Sequence, residues 1–93
     1  NMYSSFENIY KLFCKYNFFL KNKEILNHQG NEFKLEFIKL DKPIDIFSIT
    51  KIDNNYNILI PFKNINTSYK TSISNLSDLI IYLELHLYNY TYL

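Results

Sequence analysis

A single glycine, two prolines, a single cysteine and no arginine, alanine, valine or tryptophan stand in this chain of 93 residues. One glycine cannot build the phosphate-cradling or nucleophile-elbow loops, which need two or more at fixed spacing. One cysteine, Cys14, forms neither an internal disulfide nor a thiolate metal cluster, a usage that fits a reducing compartment. No apolar run approaches the roughly 18 residues of a membrane-spanning helix and no secretory leader pattern appears, so a soluble, intracellular domain with no membrane partner is expected. Ten basic residues, all lysine, face nine acidic ones for a formal net charge of +1. No large basic field exists to draw in phosphate backbones, and nucleic acid is not an expected partner.

What the chain has in plenty is Asn, Ile, Lys and Tyr, a skew that matches an A+T-rich codon bias. Aromatics make up 18% of it, including nine tyrosines. Tyrosine hydroxyls need partners or solvent, which places some of these rings at a rim or an interface. The length fits one domain, 1–93, whose core buries roughly 60 to 65% of the unfolded surface. The chain opens Asn1-Met2, and we read it as the excised globular part of a longer protein.

The clearest signal is the stretch from Phe33 to Phe62. Phe33, Leu35 and Phe37 alternate with Lys34 and Glu36, and Tyr56, Ile58, Ile60 and Phe62 repeat the pattern, the spacing of a pleated strand with one apolar face. Between them, Ile44 and Ile46 fall on one parity and Phe47 and Ile49 on the other, which predicts a bulge or a strand apolar on both faces. Asp41-Lys42-Pro43 and Asp53-Asn54-Asn55 supply the turns. Upstream, Phe18 to Leu20 with Ile25 and Leu26 predict a further short strand. It is turned by Asn27 to Asn31 around Gly30, where a positive φ is expected.

Helices flank this meander. From Ser4 to about Tyr16, the residues Phe6, Ile9, Tyr10, Phe13 and Tyr16 trace one helical face. Ser4 or Ser5 is the expected cap, Glu7 the first-turn carboxylate, and Lys11 and Lys15 the solvated side. Lys63 to Ile73 is expected to be loose, with Pro61 tolerated only at an edge or a bulge. A second helix follows the cap candidates Ser74 to Asp78, with Leu76, Leu79, Ile80, Leu83, Leu87 and Tyr90 as its core stripe. Ile81, Leu85, Tyr88 and Tyr92 form a second apolar stripe. A single sheet face covers one stripe but hardly two, so these four residues are the candidate partner-binding site.

No catalytic, cofactor or metal site emerges. His28 and His86 lack the spacing of a triad or zinc site and read as a solvated turn residue and a helix-surface or interface residue. Cys14 has no local base or cation to activate it and is expected to be a small, at least half-buried side chain. Turn chemistry accounts for Asp41, Asp45 and Asp53, and Asp78 and Glu84 are ordinary polar-face residues. Lys34, Lys39, Lys51 and Lys63 share the sheet with aromatics, as RNA-binding sheets require. They are expected on the polar parity, away from the rings. The protein is therefore expected not to be an enzyme.

The order of these pieces resembles the Spc twenty-five family, the RWD-like heads at the centromere end of the rod-shaped outer-kinetochore complex. The likeness spans about Lys15 to Leu87. It rests on the Gly30 hairpin leading into Phe33 to Ile38, the Asp41-Lys42-Pro43 turn, Phe47-Ser48-Ile49, the Asn-rich turn before Tyr56, the exit at Pro61 and the leucine-rich helix Leu76 to Leu87. Family members tend to carry a proline pair after the last strand where this chain has Pro61 alone, and a further short helix where it ends in Tyr88 to Leu93. The residue pattern predicts an α+β domain with an N-terminal helix, an antiparallel meander of three to four strands and a long C-terminal helix, and the resemblance implies that it is RWD-like. It implies an upstream coiled coil, pairing with a sister RWD-like kinetochore subunit as a heterodimer, and docking on an inner-kinetochore receptor at the centromere in the nucleus during chromosome segregation. The alternative is a small α+β adaptor for protein–protein interaction outside the kinetochore, taking peptides on its sheet edge.

Overall fold

The computed structural model describes residues 2–62 and 68–93. Helix α1 spans Met2–Lys15, strands β1 to β5 span Phe19–Ile25, Phe33–Lys39, Lys42–Ile52, Asn55–Pro61 and Ser68–Ile73, and helix α2 spans Leu76–Tyr92. The five strands form one antiparallel sheet in the order β1-β2-β3-β4-β5. The class is α+β, as the alternating patterns require. Among the described residues there are five strands where three to four were expected, because Ser68–Ile73, expected to be loose, pairs with β4 from Tyr56–Ile73 to Pro61–Ser68. Of the remaining expected loop, 63–67 lies outside the described residues. No helix among the described residues is long and apolar enough to cross a membrane.

Both helices lie on the same side of the sheet. Period-two alternation puts Phe33, Leu35 and Phe37 of β2, Phe47 and Ile49 of β3, and Tyr56, Ile58 and Ile60 of β4 on that side. All are buried against Ile9, Leu12, Phe13 and Tyr16 of α1 and Leu79, Leu83, Leu87 and Tyr90 of α2. Phe13 is at the centre: its ring stacks on Phe37 at 3.9 Å between centroids and meets the edges of Phe18 and Phe47. The predicted irregularity of β3 is present. Phe37 pairs with Phe47 but Lys39 pairs with Lys42, so the register shifts between these pairs and the phase of the apolar residues changes with it.

The connections follow from a few residues. Asn17 takes φ 65° after α1, and the amides of Asn17 and Phe18 return to the carbonyls of Cys14 and Phe13 at 3.0 Å each. This is a Schellman stop, and the edge-on contact of Phe18 with Phe13 is the apolar contact that accompanies it. Gly30 takes φ 73° as expected, beside Asn27, whose side-chain oxygen accepts from the amides of Asn31 and Glu32 at 3.1 and 3.2 Å. In the β3–β4 turn the positive φ belongs to Asp53, at 56°. Pro61 ends β4 beyond the last β3 pair, Ser48–Leu59, where no ladder bond is lost on that side.

Several local expectations are corrected. Helix α1 starts at Met2, so Ser5 lies inside it and is buried, its hydroxyl 2.8 Å from that of Tyr56. Glu7 is then past the first turn, where it pairs with Lys11 at 3.2 Å one helical turn on. The β2–β3 turn, expected at Asp41-Lys42-Pro43, is Leu40-Asp41, with Pro43 already in β3. Cys14 is exposed, because Leu12 rather than Tyr10 completes the buried face of α1. Lys39 and Lys51 lie over the Phe18 and Tyr56 rings at 5.3 and 5.7 Å, so they share the aromatic face at its margins. Long lysine stems cover apolar surface there while the ammonium stays in water. Lys63 lies outside the described residues.

Candidate interaction surface

Helix α2 is held at its start by Asn75, whose side-chain oxygen accepts from the Asp78 amide at 2.8 Å while its side-chain nitrogen donates to the Asp78 carboxylate at 2.9 Å. With the rotation fixed, Leu79, Leu83, Leu87 and Tyr90 face the sheet and are buried. The remaining apolar stripe turns outward. Ile81, Leu85, Tyr88 and Tyr92 are 70, 57, 49 and 63% exposed. They follow one another at i, i+4, i+7 and i+11, one continuous seam about 16 Å long at 1.5 Å per residue.

Helix α1 does not cover this seam. It meets α2 at one margin, where Lys15 donates to the Glu84 carboxylate at 2.8 Å and the Tyr16 hydroxyl donates to the same oxygen. These two donors hold Glu84 below the ordinary carboxylate range, Lys15 being the larger cause. The Tyr16 ring meets Tyr92 edge-on at 6.4 Å, and Tyr92 packs on Tyr88 at 4.9 Å. The aromatic end of the seam is thus partly ordered by ring contacts within the chain.

On the other margin of α2, sequence reasoning missed a ring cluster. His86 is half-buried, 4.3 Å from the Tyr82 ring and 5.8 Å from the Tyr69 ring of β5, and Phe62 meets Tyr69 edge-on. The signal was present in part: Tyr82 and His86 are one helical turn apart. Their partner Tyr69 was hidden in a segment too polar to be recognised as a strand. Burial lowers the His86 pKa and pushes the Tyr82 hydroxyl up to about 12, with Tyr69 adding to it. A groove of about 420 Å³ opens beside these rings, lined by Phe62, Tyr69, His86 and Leu93 among others.

The His86 shift has a testable sign. Its folded pKa lies below the ordinary value of about 6.5, so the unfolded chain takes up a proton first and stability falls as pH drops through that value. Glu84 acts in the same direction at lower pH, its contribution being present above the ordinary carboxylate pKa and lost as pH falls through its depressed folded one. Urea unfolding is expected to give a lower midpoint at pH 5 than at pH 7, and His86→Gln is expected to remove the part of that loss lying nearest pH 6.5.

The other candidates do not assemble into a catalytic group. Among the described residues no group of three or more His, Cys, Asp and Glu could hold a metal ion. His28 is exposed in the turn before β2. Asp45 accepts from the Tyr90 hydroxyl at 2.5 Å, tying β3 to the end of α2, and burial together with this carboxylate raises the Tyr90 pKa strongly. Asp53 offers its amide to Glu32 at 2.7 Å. Away from the helices, the open face of the sheet carries a depression of about 490 Å³ lined by Lys34, Thr50, Asn57, Leu59, Lys70 and Ser72. No family model, curated protein or solved structure matches this chain.

Proposed function

We propose that this domain is a non-enzymatic protein-interaction head whose outer α2 stripe packs against an apolar helix face of a partner protein. One observation carries the reading: the sheet side of α2 is filled by Leu79, Leu83, Leu87 and Tyr90, while Ile81, Leu85, Tyr88 and Tyr92 stand exposed on the same helix. A seam of this kind is the helix-on-helix recognition surface read at i, i+4 and i+7, and exposed contiguous apolar patches are characteristic of interaction sites.

The partner proposed is a sister α+β head in an outer-kinetochore rod, with an inner-kinetochore receptor bound by the pair, at the centromere of the nucleus. This rests on the resemblance of residue order from Lys15 to Leu87 to the Spc twenty-five family. Two tyrosines on the seam favour a heterologous partner, since their hydroxyls need polar groups to meet them at the rim. Co-expression with the sister head, followed by size-exclusion chromatography with light scattering, is expected to give a one-to-one complex. A domain that stays monomeric and indifferent to every kinetochore subunit rejects this partner, and a concentration-dependent dimer of the chain alone assigns the seam to a second copy.

A further inference from the structure

The sheet has two edges, β1 and β5, and they differ in how they treat a strand that would add to them. Natural edges are blunted by bulges and by charged side chains, lysine above all. Edge β1 has both. Its register with β2 shifts between Leu20 and Asn22, and Lys21, Lys23 and Glu24 fall within its seven residues. Edge β5 has neither protection to the same degree. Its six pairs with β4, from Tyr56–Ile73 to Pro61–Ser68, run without a shift, and one lysine, Lys70, is its only charge. Its described side chains from Tyr69 to Ile73 are exposed or half-buried. Among the described residues, no backbone hydrogen bond joins β5 to anything but β4.

We propose that β5 is a strand-addition site for an extended peptide segment whose side chains alternate between acidic and apolar. The straight edge, unpaired among the described residues, supplies main-chain hydrogen bonds, and the two faces of β5 supply the selectivity. On the helix side stands Tyr69, stacked toward Tyr82 and His86, so alternate side chains of the added strand meet rings. On the open side stand Lys70 and Ser72, and Lys70 pairs with no carboxylate among the described residues. The remaining side chains of the added strand meet Lys70, which acidic groups complement. A second copy of β5 is the poorer occupant, because it brings another Lys70 to an edge already cationic. The site goes beyond the α2 seam and is independent of it.

The test uses capped eight-residue peptides and amide hydrogen exchange of the whole domain. A peptide alternating glutamate and valine is expected to slow exchange at least tenfold for the β5 amides that face away from β4, leaving Phe19–Ile25 unchanged. The same peptide N-methylated on alternate amides is expected to protect nothing. Lys70→Glu, at an exposed site, is expected to weaken the acidic peptide about tenfold and to admit one alternating lysine and valine. Protection on β1 in place of β5, no protection at millimolar peptide, or equal binding of the acidic and basic peptides overturns the proposal. Protection of β5 that rises with domain concentration without peptide assigns the edge to self-pairing and overturns it too. The α2 seam is read by a different partner and different residues, so either surface can fail alone.

Discussion

Replacing Phe13 with alanine is expected to cost about 3–5 kcal/mol of unfolding free energy, a large share of the roughly 5–15 kcal/mol that holds a domain of this kind together. Phe13 is fully buried, and its ring is where α1, the β1 entry and the centre of the sheet meet, through Phe37, Phe18 and Phe47. Removal of the ring leaves a cavity between a helix and a strand pair that cannot close without moving both. The same change weakens the stop of α1, because the Phe13–Phe18 contact accompanies the hydrogen bond between their backbones at 3.0 Å. Urea unfolding measures the loss directly. A cost below about 1 kcal/mol would mean that the two-helix layer is not packed on the sheet as described.

Replacing Leu85 with aspartate is expected to do the reverse. The side chain is 57% exposed, so stability should change by about 0.5 kcal/mol, chiefly through helix propensity. Binding of the proposed sister head should weaken roughly 30-fold or more, because a carboxylate placed in the middle of an apolar seam is left without a partner when the seam closes. Leu83→Ala, two residues away on the buried side, is expected to cost about 2–5 kcal/mol. Calorimetric titration together with urea unfolding separates the two stripes. Loss of stability from Leu85→Asp comparable to that from Leu83→Ala would place Leu85 in the fold and remove it from the interface.

The residues that announced themselves were those whose burial is one-sided and regular. Phe33, Leu35 and Phe37, or Leu79, Leu83 and Leu87, repeat at the period of their element because one face meets a continuous core. Strand β5 was hidden for the opposite reason. As an edge it buries little, so Tyr69, Thr71 and Ile73 suffice on its core parity and Lys70 and Ser72 stay polar, a pattern indistinguishable from a loop by composition alone. Cys14 and Tyr10 were misplaced because an apolar stripe fixes a helix face only to within one residue's rotation, and Leu12 was the side chain that settled it. Lys39 and Lys51 fall on the apolar parity of their strands, after Phe37 and Ile49, and are accommodated there because a long stem can lie along a ring at the margin of a core. The outer stripe of α2 was legible because neither α1 nor the sheet has surface left to cover Ile81, Leu85, Tyr88 and Tyr92. The ring cluster around His86 depended on a strand that could not be recognised.

We propose that α2 serves the core through one stripe and a partner protein through the other. Side-chain NMR of the domain, titrated with the sister head, tests it most directly. The methyl signals of Ile81 and Leu85 and the ring signals of Tyr88 and Tyr92 are expected to shift or broaden together, while those of Ile49 and Leu83 hold their positions. Binding that leaves these four unmoved and perturbs another surface, or no binding at all, would remove the outer stripe of α2 as the interface with this partner.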